Sequence, residues 1–172
     1  MKIALKKELT GSILDIGGGG EGIIGRLYGS RVSAIDNRQE ELDEAPDTCT
    51  KLCMDATALS FADESFDAVT AFYSLLFMTA GEQERAIAEG IRVLCPGGRL
   101  CLWDCAVESA YPNPFVTELD VDLEGELLHT SYGICKLDAQ SRESILSFCL
   151  AKGLTLLTSR QEGIHFYLEL QK

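Results

Sequence analysis

The segment Ser12–Gly22, SILDIGGGGEG, ends a short apolar strand on a carboxylate, Asp15, and then turns through glycines. Glycine at such a turn permits positive φ and lets the backbone approach a ligand that a Cβ would hold away. Gly17, Gly19 and Gly22 satisfy G-x-G-x-x-G, and Asp36 follows at the distance, roughly 20 residues on, where a dinucleotide-binding unit keeps its ribose-binding acid. This is the chemistry of a nucleotide site, one whose ligand must tolerate or prefer a nearby negative charge.

Asp15 separates two cofactor classes. It lies two residues before the first glycine, where a pyrophosphate seated on the following helix N-terminus would be repelled. S-adenosylmethionine has no phosphate and carries a sulfonium and an ammonium, so the same carboxylate attracts it. The residues favour a methyl donor over a nicotinamide.

From about Ser12 to Asp104 the chain resembles the class I S-adenosylmethionine-dependent methyltransferases. LDIGGGGEG resembles their first motif, with Asp15, Gly17 and Gly19 on its acid-x-Gly-x-Gly core. AIDN places Asp36 where the family's carboxylate takes the two ribose hydroxyls, and MDATAL places Asp55 and the Ala56 N–H beside the adenine. FDAVTAFYSLLFM and RVLCPGGRLCLWD resemble the fourth strand, a helix, the Pro-Gly-Gly turn and the fifth strand. One departure is Glu21, where many members carry glycine; here Gly22 comes one residue later. The resemblance implies a cofactor-binding set of Asp15, Ile16, Gly17, Gly18, Gly19, Asp36, Asn37, Asp55, Ala56 and Phe72.

These residues require a scaffold that brings strand ends to one edge. Apolar runs alternate with helical patterns from Ile13 onward, which predicts βαβ units and a parallel sheet. The expected strands are Ser12–Ile16, Val32–Asp36, a short third ending at Asp55, Ala68–Phe72 and Arg99–Asp104. Ligands in such sheets bind beyond the carboxyl ends of the strands, where strand order reverses. Thr79-Ala80-Gly81-Glu82 has the form of a capping box, and Pro96-Gly97-Gly98 is expected to stop the helix that follows it. A second helix is expected over Gln140–Lys152, stopped by Gly153, and strands Leu154–Thr158 and Ile164–Leu170 as an antiparallel edge pair. The fold class is therefore α/β: a Rossmann-like, doubly wound, mostly parallel seven-stranded sheet with an antiparallel C-terminal edge pair, in a single domain spanning residues 1–172.

About a dozen residues precede the first strand, where relatives commonly carry helices that close over the cofactor. Instead, an insert of about residues 106–135 separates the fifth strand from its helix, longer than the roughly 2–6 residues a simple connection takes. Phe115, Thr117, Leu119, Val121 and Leu123 alternate with Val116, Glu118, Asp120 and Asp122, as in a hairpin turning near Glu124-Gly125. Two roles are open to it: a lid over the substrate side, or an edge extension or dimerisation arm.

Methyl transfer needs alignment of the acceptor and exclusion of water, and a base only if the acceptor must lose a proton early. The candidates for that base are Asp104, His129 and Tyr73, with Tyr111 and Tyr132 near His129 in sequence; His165, in the last strand, reads as structural. The segment Phe72-Tyr73-Ser74-Leu75 lacks the N-P-P-Y signature expected for amino methylation of nucleic acid bases or glutamine.

Composition bounds the partners. The chain has 172 residues and a formal charge of −12, from 15 Lys+Arg against 27 Asp+Glu, a poor balance for binding phosphate backbones. No nucleic acid is expected. No apolar run approaches the ~18 residues of a membrane span, the start lacks the apolar core of a signal peptide, and the expected location is cytoplasmic. Seven cysteines without a C-x-x-C pair read as reduced thiols, Cys101 and Cys149 as core, and no metal site is expected. The expected function is transfer of a methyl group from S-adenosylmethionine to a small-molecule acceptor, with a homodimer as one way to close a lidless site. The alternatives are a non-catalytic S-adenosylmethionine-binding or partner subunit and, against Asp15, a nucleotide-linked oxidoreductase.

Overall fold

The computed structural model describes residues 1–108, 115–134 and 138–172. Its centre is a seven-stranded sheet built from β2 (Ile13–Ile16), β3 (Val32–Asp36), β4 (Thr50–Cys53), β5 (Phe66–Phe72), β6 (Leu94–Cys105), β9 (Thr155–Glu162) and β10 (His165–Gln171). Their spatial order is β4-β3-β2-β5-β6-β10-β9. The first five strands pair in parallel, while β10 runs antiparallel to both β6 and β9. The expected sheet and its antiparallel edge pair are both present.

Alternation along these strands fills two cores. Ile13, Val32, Ala34 and Ala68 face helix α1 (Ile23–Tyr28), whereas Leu14, Ile16, Ile35 and Val69 face α3 (Ala80–Val93) and α4 (Arg142–Ala151). Both strand faces are apolar because helices or a second sheet cover each side, as parallel sheets require. Helix α2 (Gln39–Glu44) buries Leu42 beside β3.

The capping box is formed: Thr79 Oγ1 accepts from the Glu82 N–H, and Glu82 Oε2 accepts from the Thr79 N–H at 2.8 Å. Thr79→Ala should destabilise the fold by about 1 kcal/mol, measured by urea unfolding. An unchanged midpoint would show that neighbouring contacts fix this helix start without the cap. The helix then passes straight into β6 at Leu94, so Pro96-Gly97-Gly98 lies inside the strand's bounds instead of separating the two elements, with Gly97 at φ 79°. Strand β4 ends at Cys53, two residues short of the expected end at Asp55.

The N-terminal residues form a strand that the sequence reading did not expect. Strand β1 (Lys2–Leu5) pairs in parallel with β7 (Phe115–Leu123), which pairs antiparallel with β8 (Glu126–Ile134). The insert's hairpin turns at Glu124-Gly125, as its alternation predicts, with Glu124 at φ 53° and Gly125 at φ 108°. Leu5, Leu119, Val121 and Leu123 from this three-stranded sheet pack with Ile24 and Leu27 of α1 in one core. The insert and the N-terminus are therefore one unit, and it lies on α1. Residues 109–114, including Tyr111, and 135–137 lie outside the described residues.

Candidate active site

The glycine loop is pressed against everything around it. Gly17, at φ 73°, and Gly18 both donate their N–H groups to the Ile35 carbonyl, at 2.8 and 3.0 Å, tying the end of β2 to the end of β3. A Cβ on Gly17 would stand 2.3 Å from Ser74 Cβ, and one on Gly18 would stand 2.6 Å from Asp15 Oδ2. A Cβ on Gly19 would meet Glu41 Cβ at 2.6 Å and Asp36 Oδ2 at 2.9 Å. Strand order reverses between β2 and β5, so this loop occupies the crevice where open α/β sheets bind ligands.

A cavity of about 890 Å³ opens there. Of the expected set, Asp15, Gly17, Gly18, Gly19, Asp36, Asn37, Asp55, Ala56 and Phe72 line it. Ile16 does not; its carbonyl accepts from Ser74 Oγ at 2.8 Å beneath the loop. The structure adds walls that the motifs did not name, among them Met54, Met78, Phe77 and Tyr132.

Asp15 is only 2% exposed, and its Oδ1 accepts from Thr70 Oγ1 at 2.7 Å. Burial pushes its pKa from 3.8 up to about 7; the Thr70 hydroxyl pulls it down and the Asp36 charge adds to the rise. A raised carboxyl stabilises the fold below pH 3.8 and loses that contribution as pH climbs to about 7. Ligand-free protein should therefore lose stability across this window, while affinity for a ligand carrying an ammonium should rise. At pH 6, titration in buffers of different ionisation heat should show proton release on binding, absent in Asp15→Asn. Equal heats in both buffers would show that Asp15 is not the group facing the ligand's cation.

Asp36 closes β3 at the cavity edge, where its Oδ1 accepts from the Arg38 N–H at 3.0 Å. Asp55 lies past β4 in a turn, its Oδ1 accepting from Thr57 N and Oγ1, both at 2.8 Å, and these bonds hold its pKa below the usual aspartate value. Met54, Ala56 and Met78 give the adjoining wall an apolar character. This donor set suits S-adenosylmethionine: a buried carboxylate for a cation, a strand-end carboxylate for a diol, and an apolar slot beside Asp55 for a purine. It suits a pyrophosphate poorly, because Asp15 sits directly beneath Gly18.

The insert reaches the mouth of the cavity. Tyr132 stacks on Tyr73 with centroids 5.4 Å apart and 6° between planes, and Phe77 meets Tyr132 edge-on at 6.3 Å. Thr130 Oγ1 hydrogen-bonds the Glu21 carboxylate, and Arg26 pairs with Glu126 at 3.0 Å. These contacts tie the hairpin to the glycine loop and α1.

The three candidate bases fall apart in space. Tyr73 lines the cavity, is 1% exposed, and has its pKa pushed well above the usual tyrosine range by burial. Asp104 does not reach the cavity: it is buried in β6, where Oδ1 accepts from Gln140 Nε2 at 2.6 Å and from the Cys105 N–H at 2.8 Å. His129 stands on the outer face of the hairpin, its side chain 67% exposed, with Nδ1 2.9 Å from Asp120 Oδ1. Strand parity carries the reason. With Leu119 and Val121 inward, Asp120 and its cross-strand partner His129 must point out, while Thr117 and its partner Tyr132 point in.

A family model described as a methyltransferase domain matches residues 14–102. A demethylmenaquinone methyltransferase of Renibacterium salmoninarum is 54% identical over 65 residues, 37% of this chain and 25% of the relative. The match thus spans a quarter of that relative's length. Among solved structures, a SAM-dependent methyltransferase from Methanosarcina mazei superposes with TM-score 0.67 at 21% identity, covering 95% of this chain and 94% of that one. The glycopeptide N-methyltransferase MtfA, solved with S-adenosylmethionine, superposes with TM-score 0.62 at 14% identity, covering 95% and 87%. With the family match spanning more than half of its residues, the chain belongs to the methyltransferase domain family, within the class I S-adenosylmethionine-dependent methyltransferases.

Proposed function

We propose that this protein transfers a methyl group from S-adenosylmethionine to a small-molecule acceptor. The observation that carries the reading is the buried Asp15 carboxylate beneath a glycine loop with no room for a side chain. The bound cofactor supplies a methyl carbon already activated by its sulfonium. Asp15 faces the cofactor's ammonium, Asp36 takes the ribose hydroxyls, and Asp55 with the Ala56 N–H addresses the adenine. Gly17, Gly18 and Gly19 let the backbone close on the amino-acid portion, and Asn37 and Phe72 complete the wall.

Tyr73, Phe77 and Tyr132 fence the open side, where an acceptor would be aligned and water excluded. Closure of this cavity comes from the chain's own hairpin, so a second subunit is not required for it. The acidic rim, with Glu21, Glu41, Glu44 and Glu82 against Arg26 and Arg38, favours neutral or cationic small molecules over phosphate polymers. The relative matched over 65 residues acts on demethylmenaquinone by its name, which makes a quinol-type small molecule the first acceptor to try. No described helix is long and apolar enough to cross a membrane.

The test is incubation with methyl-tritiated S-adenosylmethionine and a panel of small acceptors that includes reduced demethylmenaquinone. Label moving into an organic product supports the reading. Tight cofactor binding with no transfer to any acceptor would contradict it and favour a non-catalytic binding subunit.

A further inference from the structure

Tyr73 stands where two cavities meet. Among the described residues it is the one that lines both the glycine-loop cavity and a second cavity of about 690 Å³. The second cavity is walled by Trp103, Tyr167, Tyr28 and His165, on the side of β6 and β10 that carries α1. Tyr73 adopts φ 50°, a left-handed conformation that sterics disfavour for a bulky residue and that clusters at functional sites. Its surroundings hold it there: the N–H donates to the Trp103 carbonyl at 2.8 Å, the ring packs against Tyr132, Phe72 and His165, and Oη lies 2.7 Å from His165 Nδ1.

We propose that Tyr73 and His165 form a proton exit for hydroxyl-bearing aromatic acceptors, taking the acceptor's proton from the cofactor cavity and delivering it to the second cavity. The inference rests on the methyltransferase reading above. In the step, the acceptor O–H bond breaks and its electron pair forms the new bond to the methyl carbon, directly or through the conjugated ring. The sulfur–methyl bond breaks with its pair returning to sulfur. The acceptor's proton moves to Tyr73 Oη as the Tyr73 proton moves to His165 Nδ1, leaving an imidazolium. Aromatic walls at the mouth, from Tyr73, Phe77 and Tyr132, fit a planar acceptor.

The electrostatics set the direction. Burial, with Cys105, Asp104 and Tyr132 nearby, holds the Tyr73 phenol protonated, so it has a proton to give His165. Burial lowers the His165 pKa, the Met1 ammonium lowers it further, and the Glu162 carboxylate on β9 opposes both. His165 is thus neutral at pH 7; in the relay its proton sits on Nε2 and the Nδ1 lone pair accepts from Tyr73, and Glu162, which also lines the second cavity, stabilises the imidazolium once it forms. Tyr73 would be the catalytic residue, and His165 acts through it.

Nitrogen-detected NMR of the His165 ring, in protein saturated with S-adenosylhomocysteine, tests the pair without turnover. The expected result is a proton on Nε2 and a bare Nδ1 at neutral pH, with that preference lost in Tyr73→Phe. A proton on Nδ1 would overturn the proposal. Kinetics with naphthohydroquinone and catechol then separate relay from packing, because His165→Gln keeps a hydrogen-bonding partner but cannot take the proton. That variant should lose about 100-fold in kcat, keep its KM for S-adenosylmethionine, and lose the acidic limb of the pH profile. A retained limb and kcat would overturn the relay. Wild type that binds S-adenosylhomocysteine yet methylates neither compound overturns the acceptor class, whereas failure to bind S-adenosylhomocysteine overturns the functional reading beneath it.

Discussion

Asp36→Ala should bind S-adenosylmethionine about 100-fold more weakly than wild type, the equivalent of about 3 kcal/mol for lost hydrogen bonds to a charged group. The carboxylate stands at the end of β3, at the cavity edge and close against Gly19. Among the described residues it accepts one hydrogen bond, from the N–H of exposed Arg38, which water can satisfy after truncation. Stability should therefore change little, and the effect should appear in affinity alone. Asp36→Asn should fall between, since an amide still accepts from one hydroxyl. Calorimetric titration checks both variants, and an undiminished affinity in Asp36→Ala would remove this residue from the binding set.

Gly17→Ala should act on the fold and the site together. A Cβ there would force φ 73° on a residue that disfavours it, at about 1–2 kcal/mol, and would stand 2.3 Å from Ser74 Cβ. Relieving that contact means displacing either the loop from Ile35 or Ser74 from the Ile16 carbonyl it binds, and overpacking of this kind costs about 1–3 kcal/mol more. The sum, about 2–5 kcal/mol, should lower the melting temperature by roughly 10 °C, and cofactor binding should fall because the loop can no longer lie flat. Gly125→Ala is the control. It shares the positive φ, at 108°, but a Cβ there meets nothing within 4 Å, so only the conformational cost remains, about 1 kcal/mol. Equal losses in the two variants would show that backbone conformation, and not the contact with Ser74, governs Gly17.

Most residues lining the glycine-loop cavity were legible in the sequence because they sit at, or just past, strand ends that local patterning marks. Asp15, Asp36 and the glycines follow short apolar runs, and the geometry of a parallel sheet brings such ends to one edge. The hairpin was legible for the same reason: alternation fixed its faces, and Glu124-Gly125 offered the only turn. Even His129 carried its own answer, since opposite parity to Leu119 and Val121 on a paired strand sends it outward.

What remained hidden depended on contacts far apart in the chain. Lys2–Leu5 is too short to read as a strand alone, and its register partner for Lys2 is Asp120. Asp104 was expected at the ligand edge because it ends a strand, yet its side chain turns inward to Gln140, 36 residues away. Tyr73 and His165 are separated by 92 residues and meet because β10 lies antiparallel beside β6. The acceptor side of the site is built almost entirely from such pairings, which is why residue types alone could not rank its candidate bases.

The central claim is that the cavity over Asp15 and Asp36 holds a phosphate-free sulfonium nucleoside. Calorimetric titration of the purified protein with S-adenosylmethionine, S-adenosylhomocysteine and NAD tests it most directly. Saturable binding of the first two, with none of NAD, is the predicted result; binding of NAD alone, or of none of the three, would contradict it.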